Sequence, residues 1–319
     1  MAEHALYFSD ERAQRMYKIR TTVLKTLVYI FLTIFALFML APFVIMVIGS
    51  FINGENFKAF SDSADFSKLG FVVLDSKTDT WVQNWSFGNY VTIFTYGSNS
   101  FPVFFLNTLI VAVGSTAVTV ITAVLAAFAF ARLNFKGKDA LFALLLATMM
   151  VPGEMMVITN FMTVNAINWR NTFAALILVH GVSVFYIFYL RQTFQQIPNE
   201  LYLAAKVDGV GDLGYLVKVM VPIAMPTITT IIILSMMGAW NSFVWPNLVA
   251  DGGWKYDETH SMMLVSNGLR NLFSSNNAEA KFDAVKLAGS MVISTPLFIV
   301  FIIFRKYIMR GVSRSGIKG

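Results

Sequence analysis

VFFLNTLIVAVGSTAVTVITAVLAAFAFA, residues 103–131, is 29 residues long and holds no Asp, Glu, Lys or Arg. A bilayer core about 30 Å thick is spanned by about 20 apolar residues in a helix. Strands of a membrane barrel are shorter and alternate apolar with polar residues. This stretch does neither, so it predicts a membrane-spanning helix. Its small residues, as in AVGSTAVT, let a neighbouring backbone approach closely.

Five further segments read the same way, near 27–52, 140–163, 172–190, 223–250 and 284–308. The sequence therefore predicts an all-α membrane protein with six transmembrane helices. Composition agrees: 56% of the 319 residues are hydrophobic and 13% are charged. A soluble domain carries about 25% charged residues. That contrast excludes a disordered chain, a disulfide scaffold and an ordinary soluble enzyme. With no cysteine, thiolate metal sites and thiol nucleophiles are excluded too. Pro42, Pro152, Pro226, Pro246 and Pro296 fall inside the apolar segments and predict kinks. The first segment is too long for a removable signal peptide and lacks a small-residue cleavage site.

The net charge of +6 reads as topology. Positive residues cluster in the arm 1–26 (Arg12, Arg15, Lys18, Arg20, Lys25), after the second helix (Arg132, Lys136, Lys138), after the fourth (Arg191, Lys206, Lys218) and in the tail 310–319. The loop 53–101 instead gathers Glu55, Asp62, Asp65, Asp75 and Asp79. Both termini are thus expected in the cytoplasm of a multi-pass cell-membrane protein. The loops 53–101 and 251–283 are then extracytoplasmic, and 102–309 forms the permease core. Trp81, Trp85, Tyr90, Tyr96, Trp254 and Tyr256 in those loops read as an interfacial belt or as a docking surface for an external partner. A secondary transporter usually shows two related halves. No internal repeat is evident here, so the chain reads as half of a pore.

Between the fourth and fifth segments lies IPNELYLAAKVDGVGDLGYLVKVMVPIAMPTI, residues 197–228. It reads as helix, turn, helix. Asn199 is placed to cap a helix over 200–207. Gly209 and Gly211 supply the turn, and 212–221 forms a second amphipathic stretch.

This stretch resembles the EAA loop of ABC-importer permeases, specifically the MalG-like carbohydrate permease family. The matching residues are Ile197, Pro198, Leu201, Ala204, Ala205, Asp208, Gly209, Pro222 and Pro226. Five other stretches are similar to the family in the same order: NWSFGNYVTIF (84–94), LNTLIVAVGSTAVTVITAVLAAFAFARLNFKGKD (106–139), MMVPGEMMV (149–157), GAWNSFVWPNLV (238–249) and YIMRGVSRSGIKG (307–319). The resemblance implies the type I importer permease architecture (MetI/MalG-like), with a cytoplasmic coupling loop at 195–222. It implies a second homologous permease subunit, two cytosolic ATPase subunits, an extracytoplasmic solute-binding protein and a carbohydrate substrate, oligosaccharide in particular. Residues Glu200, Leu201, Leu203, Ala204, Ala205, Asp208 and Gly209 would couple to the ATPase. Gly311, Gly316, Lys318 and Gly319 would reach it from the tail, whose glycines suit an extended strand. A basic end lying near anionic lipid is the other reading of that tail.

One position departs from the family: Leu203 stands where the glutamate of EAA is usual. Either an apolar contact replaces the charge, or Glu200 serves one turn earlier.

Ionisable residues within spans are functional candidates. Glu154 follows Pro152 and Gly153 in the third segment; it reads as a sugar-path acid or as a paired structural acid. Trp240 and Asn241 offer an aromatic face beside an amide, suited to a pyranose or to bundle packing. His180 reads as a packing residue rather than a proton relay, and no second histidine stands near it for a metal. There is no G-x-x-x-x-G-K-[ST], so ATP and Mg belong to partner subunits and the chain itself is expected to bind no cofactor. No catalytic motif is found, and the basic residues form no nucleic-acid face. The expected role is a non-catalytic permease subunit. The rivals are a permease for a glycerol phosphate or polyol, which calls for cationic groups in the path, and an independent gradient-driven transporter.

Overall fold

A computed structural model of the chain describes residues 2–75, 80–95, 100–255, 257–274 and 281–313. The first helix, α1 (Ala2–Phe51), runs unbroken from the arm 1–26 through the first apolar segment, Pro42 included. The loop 53–101 is folded rather than irregular. It holds α2 (Gly54–Ser63), a 3₁₀ turn (Phe66–Leu69), an antiparallel hairpin of β1 (Val72–Asp75) and β2 (Thr80–Gln83), and α3 (Gly88–Thr95).

Asn84 organises this cap. Its buried amide donates to the carbonyls of Lys68 (2.8 Å) and Gly70 (3.0 Å) and accepts from Asn53 N and Asn56 Nδ2. Four satisfied bonds on one buried amide fix a layer that has little apolar core. Trp85 stacks on Phe51 at 5.9 Å and donates to the Leu69 carbonyl, and Tyr90 bonds Ser50 Oγ at 2.8 Å. Both are internal, whereas Trp81 stands 72% exposed. Tyr96 and Tyr256 lie outside the described residues.

The second segment is α4 (Ser100–Arg132), the central helix, packed against α8 and α11. The third bends by 76°: α5 (Lys138–Thr148) stops before Pro152, a 3₁₀ turn (Gly153–Met155) follows, and α6 (Met156–Ala166) leaves in a new direction. Proline removes a donor and clashes with the preceding turn, so the break falls there. The fourth segment is not continuous. It divides into α7 (Phe173–Ile177) and α8 (Val184–Gln195), with His180 and Gly181 between. Ser183 caps α8, accepting from Tyr186 N, and Thr122 Oγ1 of α4 donates to the Gly181 carbonyl at 2.9 Å. Side chains thus satisfy the backbone groups that the break frees. A Cβ on Gly181 would lie 2.6 Å from Val118 Cγ1, so a larger residue there must push the Val118 side chain or the break aside.

The loop expected on the cytoplasmic side forms α9 (Asn199–Val207), α10 (Asp212–Tyr215) and a π-helical turn (Leu216–Met220) leading into α11 (Val221–Trp240). Then come α12 (Val244–Val249), the hairpin of β3 (Gly253–Trp254) and β4 (Asp257–Ser261), α13 (Val265–Ser274) and α14 (Lys281–Ser313). Among the described residues four helices are long and apolar enough to cross a membrane, five if the bent pair is one span. The divided fourth segment is not among them, so the length of its helices does not by itself supply the sixth span of the expected count.

Candidate functional site

The helical hairpin at 199–215 is built on a buried base. Phe194, Ile197, Tyr215, Leu216 and Met220 form one apolar cluster with Ala127 and Phe128 of α4. Arg132 ends α4 beneath it. Its guanidinium donates to the carbonyls of Phe194 (3.0 Å) and Ile197, and to Asn199 Oδ1 at 3.4 Å. These carbonyls sit at and just past the end of α8, where the regular helical bonding runs out. Arg191 donates from Nε to the Phe130 carbonyl and lies over the Phe142 ring at 4.0 Å. Two arginines that mark topology are therefore also the struts that hold the hairpin on the bundle.

Helix α9 begins at Asn199, with Pro198 at its cap. Asn199 is thus not the capping residue; its side chain is taken by Arg132. The turn is made by Gly209 at φ +74°, with Val210 N donating to the Ala205 carbonyl at 2.8 Å. Across the turn, Asp212 accepts from Tyr202 Oη at 2.8 Å and pairs with Lys206 Nζ at 2.6 Å. Tyr202 also packs on Tyr215 at 5.1 Å. The bond to Asp212 holds the Lys206 ammonium above the ordinary lysine range, and partial burial raises the Tyr202 hydroxyl.

The expected coupling residues mostly share an outer surface. Glu200, Leu201, Leu203, Ala204 and Asp208 are exposed beside Gly209, while Ala205 packs inward on the base. Leu203 is 56% and Val207 88% exposed. The ion pair of Lys206 with Asp212 is internal to the hairpin, and Glu200 and Asp208 have no basic partner among the described residues. Sequence does not single out Tyr202; its spacing of ten residues from an acid across a Gly-x-Gly turn is the available cue.

Of the tail residues, Gly311 lies in α14 and is helical, not extended, because the apolar run carries the helix past it. Gly316, Lys318 and Gly319 lie outside the described residues.

A cavity of about 250 Å³ opens in the membrane region where α4, the α7–α8 break, α11 and α12 meet. Ser115, Thr119, His180, Ser183, Tyr186 and Ser235 give it polar walls. The His180 ring stands edge-on to Trp245 at 5.3 Å and makes no hydrogen bond among the described residues. The indole of Trp245 is held by the Ala175 carbonyl at 3.0 Å. Trp240 is not in this wall. It is buried, donates to the Ile293 carbonyl at 3.1 Å and packs on Phe105. Asn241 donates to its own helix at the Met237 carbonyl. Glu154 is exposed at the elbow of the bent pair, beside Met150 (85% exposed) and Met155 (71%). The structure therefore does not bring Glu154, Trp240 and Asn241 into the cavity. The hydroxyl-bearing helix faces and the divided segment define it instead.

The chain thus combines a helix bundle, a braced helical hairpin and a polar cavity at a helix break. The family model for the binding-protein-dependent transport system inner membrane component matches residues 119–315. The arabinooligosaccharides transport system permease protein AraQ of Bacillus subtilis (strain 168) is 31% identical over 236 residues, 73% of this chain and 79% of that one. Two crystal structures share the fold. One is a bacterial ABC transporter involved in the import of the acidic polysaccharide alginate; its TM-score is 0.69 at 20% identity, covering 93% of this chain and 98% of that chain. The other is a bacterial alginate ABC transporter in complex with an alginate pentasaccharide-bound periplasmic protein, with a TM-score of 0.58 at 16% identity over 92% and 96%. The chain belongs to the family of binding-protein-dependent transport system inner membrane components. It is a multi-pass membrane protein.

Proposed function

We propose that the chain is one of two permease subunits of an ATP-driven importer for a carbohydrate, an oligosaccharide in particular. The observation that carries this reading is the exposed hairpin at 199–215, stiffened internally and strutted to α4 by Arg132. A rigid element with a glycine hinge is what transmits the closure of a cytosolic motor to membrane helices. The substrate class is supported by the names of its relatives, which concern arabinooligosaccharides and alginate. The cavity wall is rich in hydroxyls and holds no Lys or Arg, which suits a neutral polyhydroxylated solute better than a glycerol phosphate.

The remaining parts follow the same reading. Two cytosolic ATPases bind and hydrolyse ATP with Mg, and the permease itself is not catalytic. A second, homologous permease covers the elbow at Glu154, Met150 and Met155, where this chain offers no cover of its own. A loaded external binding protein docks on the caps built from 53–101 and 251–283. Both termini lie in the cytoplasm. ATP and sugar act only through their different affinities for the inward and outward states. Co-expression with the neighbouring transporter genes and reconstitution in nanodiscs tests this. Sugar plus binding protein is expected to stimulate ATP hydrolysis, and Leu203→Asp is expected to weaken the coupling. Sugar uptake by this chain alone, driven by an ion gradient, would overturn the reading.

A further inference from the structure

A second cavity, about 410 Å³, lies outside the bundle. It lies between the turn joining α6 to α7 and the β3–β4 hairpin, lined by Trp169, Asn171, Thr172, Phe173, Lys255 and Met262. On the orientation proposed above, this is the extracytoplasmic mouth. Its size falls within the roughly 300–1,000 Å³ of small-molecule sites.

The wall is fixed in advance. Asn171 sits at φ +54°, a conformation that asparagine tolerates better than most residues. Its backbone N–H donates to the Val249 carbonyl at 2.8 Å, and its own carbonyl accepts from Lys255 N at 2.9 Å. Its Oδ1 accepts from the backbone N–H groups of Asp251 (3.2 Å) and Gly252 (3.3 Å). Arg170 pairs with Asp251 beside it, and Lys255 Nζ donates to the Asn168 carbonyl. The turn and the hairpin are thereby one unit. Such preorganisation reduces the ordering cost of binding.

Two donors are left over. Asn171 uses its oxygen and backbone in full, yet its Nδ2 finds no acceptor among the described residues, and neither does the Trp169 indole N–H. An indole offers an apolar face and one polar tip. The lining therefore combines an aromatic ring, two residues with an N–H that no described residue accepts, and a buried apolar floor at Met262. A ligand that satisfies all of these is amphipathic and rich in acceptor oxygens. A lipid chain would leave the donors unpaired, and a bare anion would leave the aromatic wall unused.

We propose that this cavity is a reception subsite for one ring of the incoming oligosaccharide, separate from the membrane cavity at His180. The proposal rests on the carbohydrate reading above. It adds a place where sugar leaving the binding protein is held before it enters the bundle.

The test uses the complete transporter in nanodiscs with Ala174→Cys in this chain, which has no cysteine of its own. Ala174 lines the cavity. The rate of alkylation at that thiol is measured with no addition, with free oligosaccharide, and with the binding protein empty or loaded. Saturating free sugar is expected to slow labelling about tenfold, and Trp169→Ala is expected to abolish that protection. Lys255→Cys serves as a second reporter should Ala174→Cys fail to assemble. Equal protection by the empty binding protein would mean that a protein segment fills the cavity, and would overturn the proposal. So would unprotected labelling in a complex that still transports sugar, an outcome that leaves the proposed function standing. A wild-type complex that transports no carbohydrate would remove both.

Discussion

Arg132 carries two roles in one side chain. It ends α4 as one of the basic residues from which charge counting predicts a cytoplasmic side. It also closes the carbonyls of Phe194 and Ile197, which no local signal reveals, because those residues lie more than sixty positions away. Lysine has the charge but lacks the planar fork. Arg132→Lys is therefore expected to leave membrane insertion intact and to reduce sugar-stimulated ATP hydrolysis about tenfold, read in reconstituted complexes. Full retention of coupling would mean that the strut is structural decoration. The pair Lys206 and Asp212 makes a pH prediction with a definite sign. The ammonium is raised by its partner, so its contribution is complete below the ordinary lysine range and is lost only as pH rises through the higher folded value. Protease cleavage within 199–215 is expected to stay flat across neutral and mildly alkaline pH and to rise only above the ordinary lysine range. Tyr202→Phe is expected to raise cleavage throughout, since Asp212 then loses one of its two donors.

At the scale of elements, the two glycines at breaks behave differently. Gly209 has φ +74°, and a Cβ added there would meet nothing within 4 Å, so only the backbone resists substitution. Gly209→Ala should cost about 1–2 kcal/mol at the turn. Gly209→Asn should cost less, because asparagine visits that region more readily. Transport assays of the two are expected to rank Asn above Ala. Gly181 has an ordinary φ but meets Val118 at 2.6 Å, so there even alanine must displace the Val118 side chain or the break. Purified yield and thermal stability should fall for Gly181→Ala, and Val118→Ala should restore them. These elements also show what the sequence could tell. The long spans α1, α4, α11 and α14 were legible because apolar density over about 20 residues is a local property. The helix–turn–helix at 199–215 was legible from its polarity and its glycines. The division of the fourth segment was not, because hydropathy averages over a window and does not register whether each backbone group has a partner. That division is settled by Thr122 on another helix. The membrane cavity inherits the same illegibility. Trp240 and Asn241 carry sugar-like chemistry, yet the packing of α14 takes the indole of one and α11 takes the amide of the other.

For the whole molecule, the layout of charge and the layout of packing are independent observations that must agree. Helix α1 has no buried share across its apolar window, and Phe31, Phe35 and Phe38 are all at least half exposed. It meets the rest of the chain near its C-terminal end, through α14 and α3. So much exposed apolar surface is stable only against lipid or another subunit. Its direction is set by its two ends: Arg15, Lys18, Arg20 and Lys25 at one, and the cap anchored by Asn84 and carrying Glu55, Asp62 and Asp65 at the other. The positive-inside bias predicts that the first end lies in the cytoplasm. The helix count does not give this answer independently, because the bent third segment and the divided fourth each either cross the bilayer or return to the same side. An accessibility test settles it without assuming a count. The chain has no cysteine, so single substitutions report cleanly. Asp62→Cys, exposed in the first cap, should react with a membrane-impermeant thiol reagent in intact cells. Lys136→Cys, exposed after α4, should react only after the membrane is opened. If both label in intact cells, α4 does not separate the cap from the hairpin, and the hairpin at 199–215 loses its access to a cytosolic motor. The reverse pattern would put the coupling surface outside and the sugar mouth inside, which is an exporter's geometry rather than an importer's.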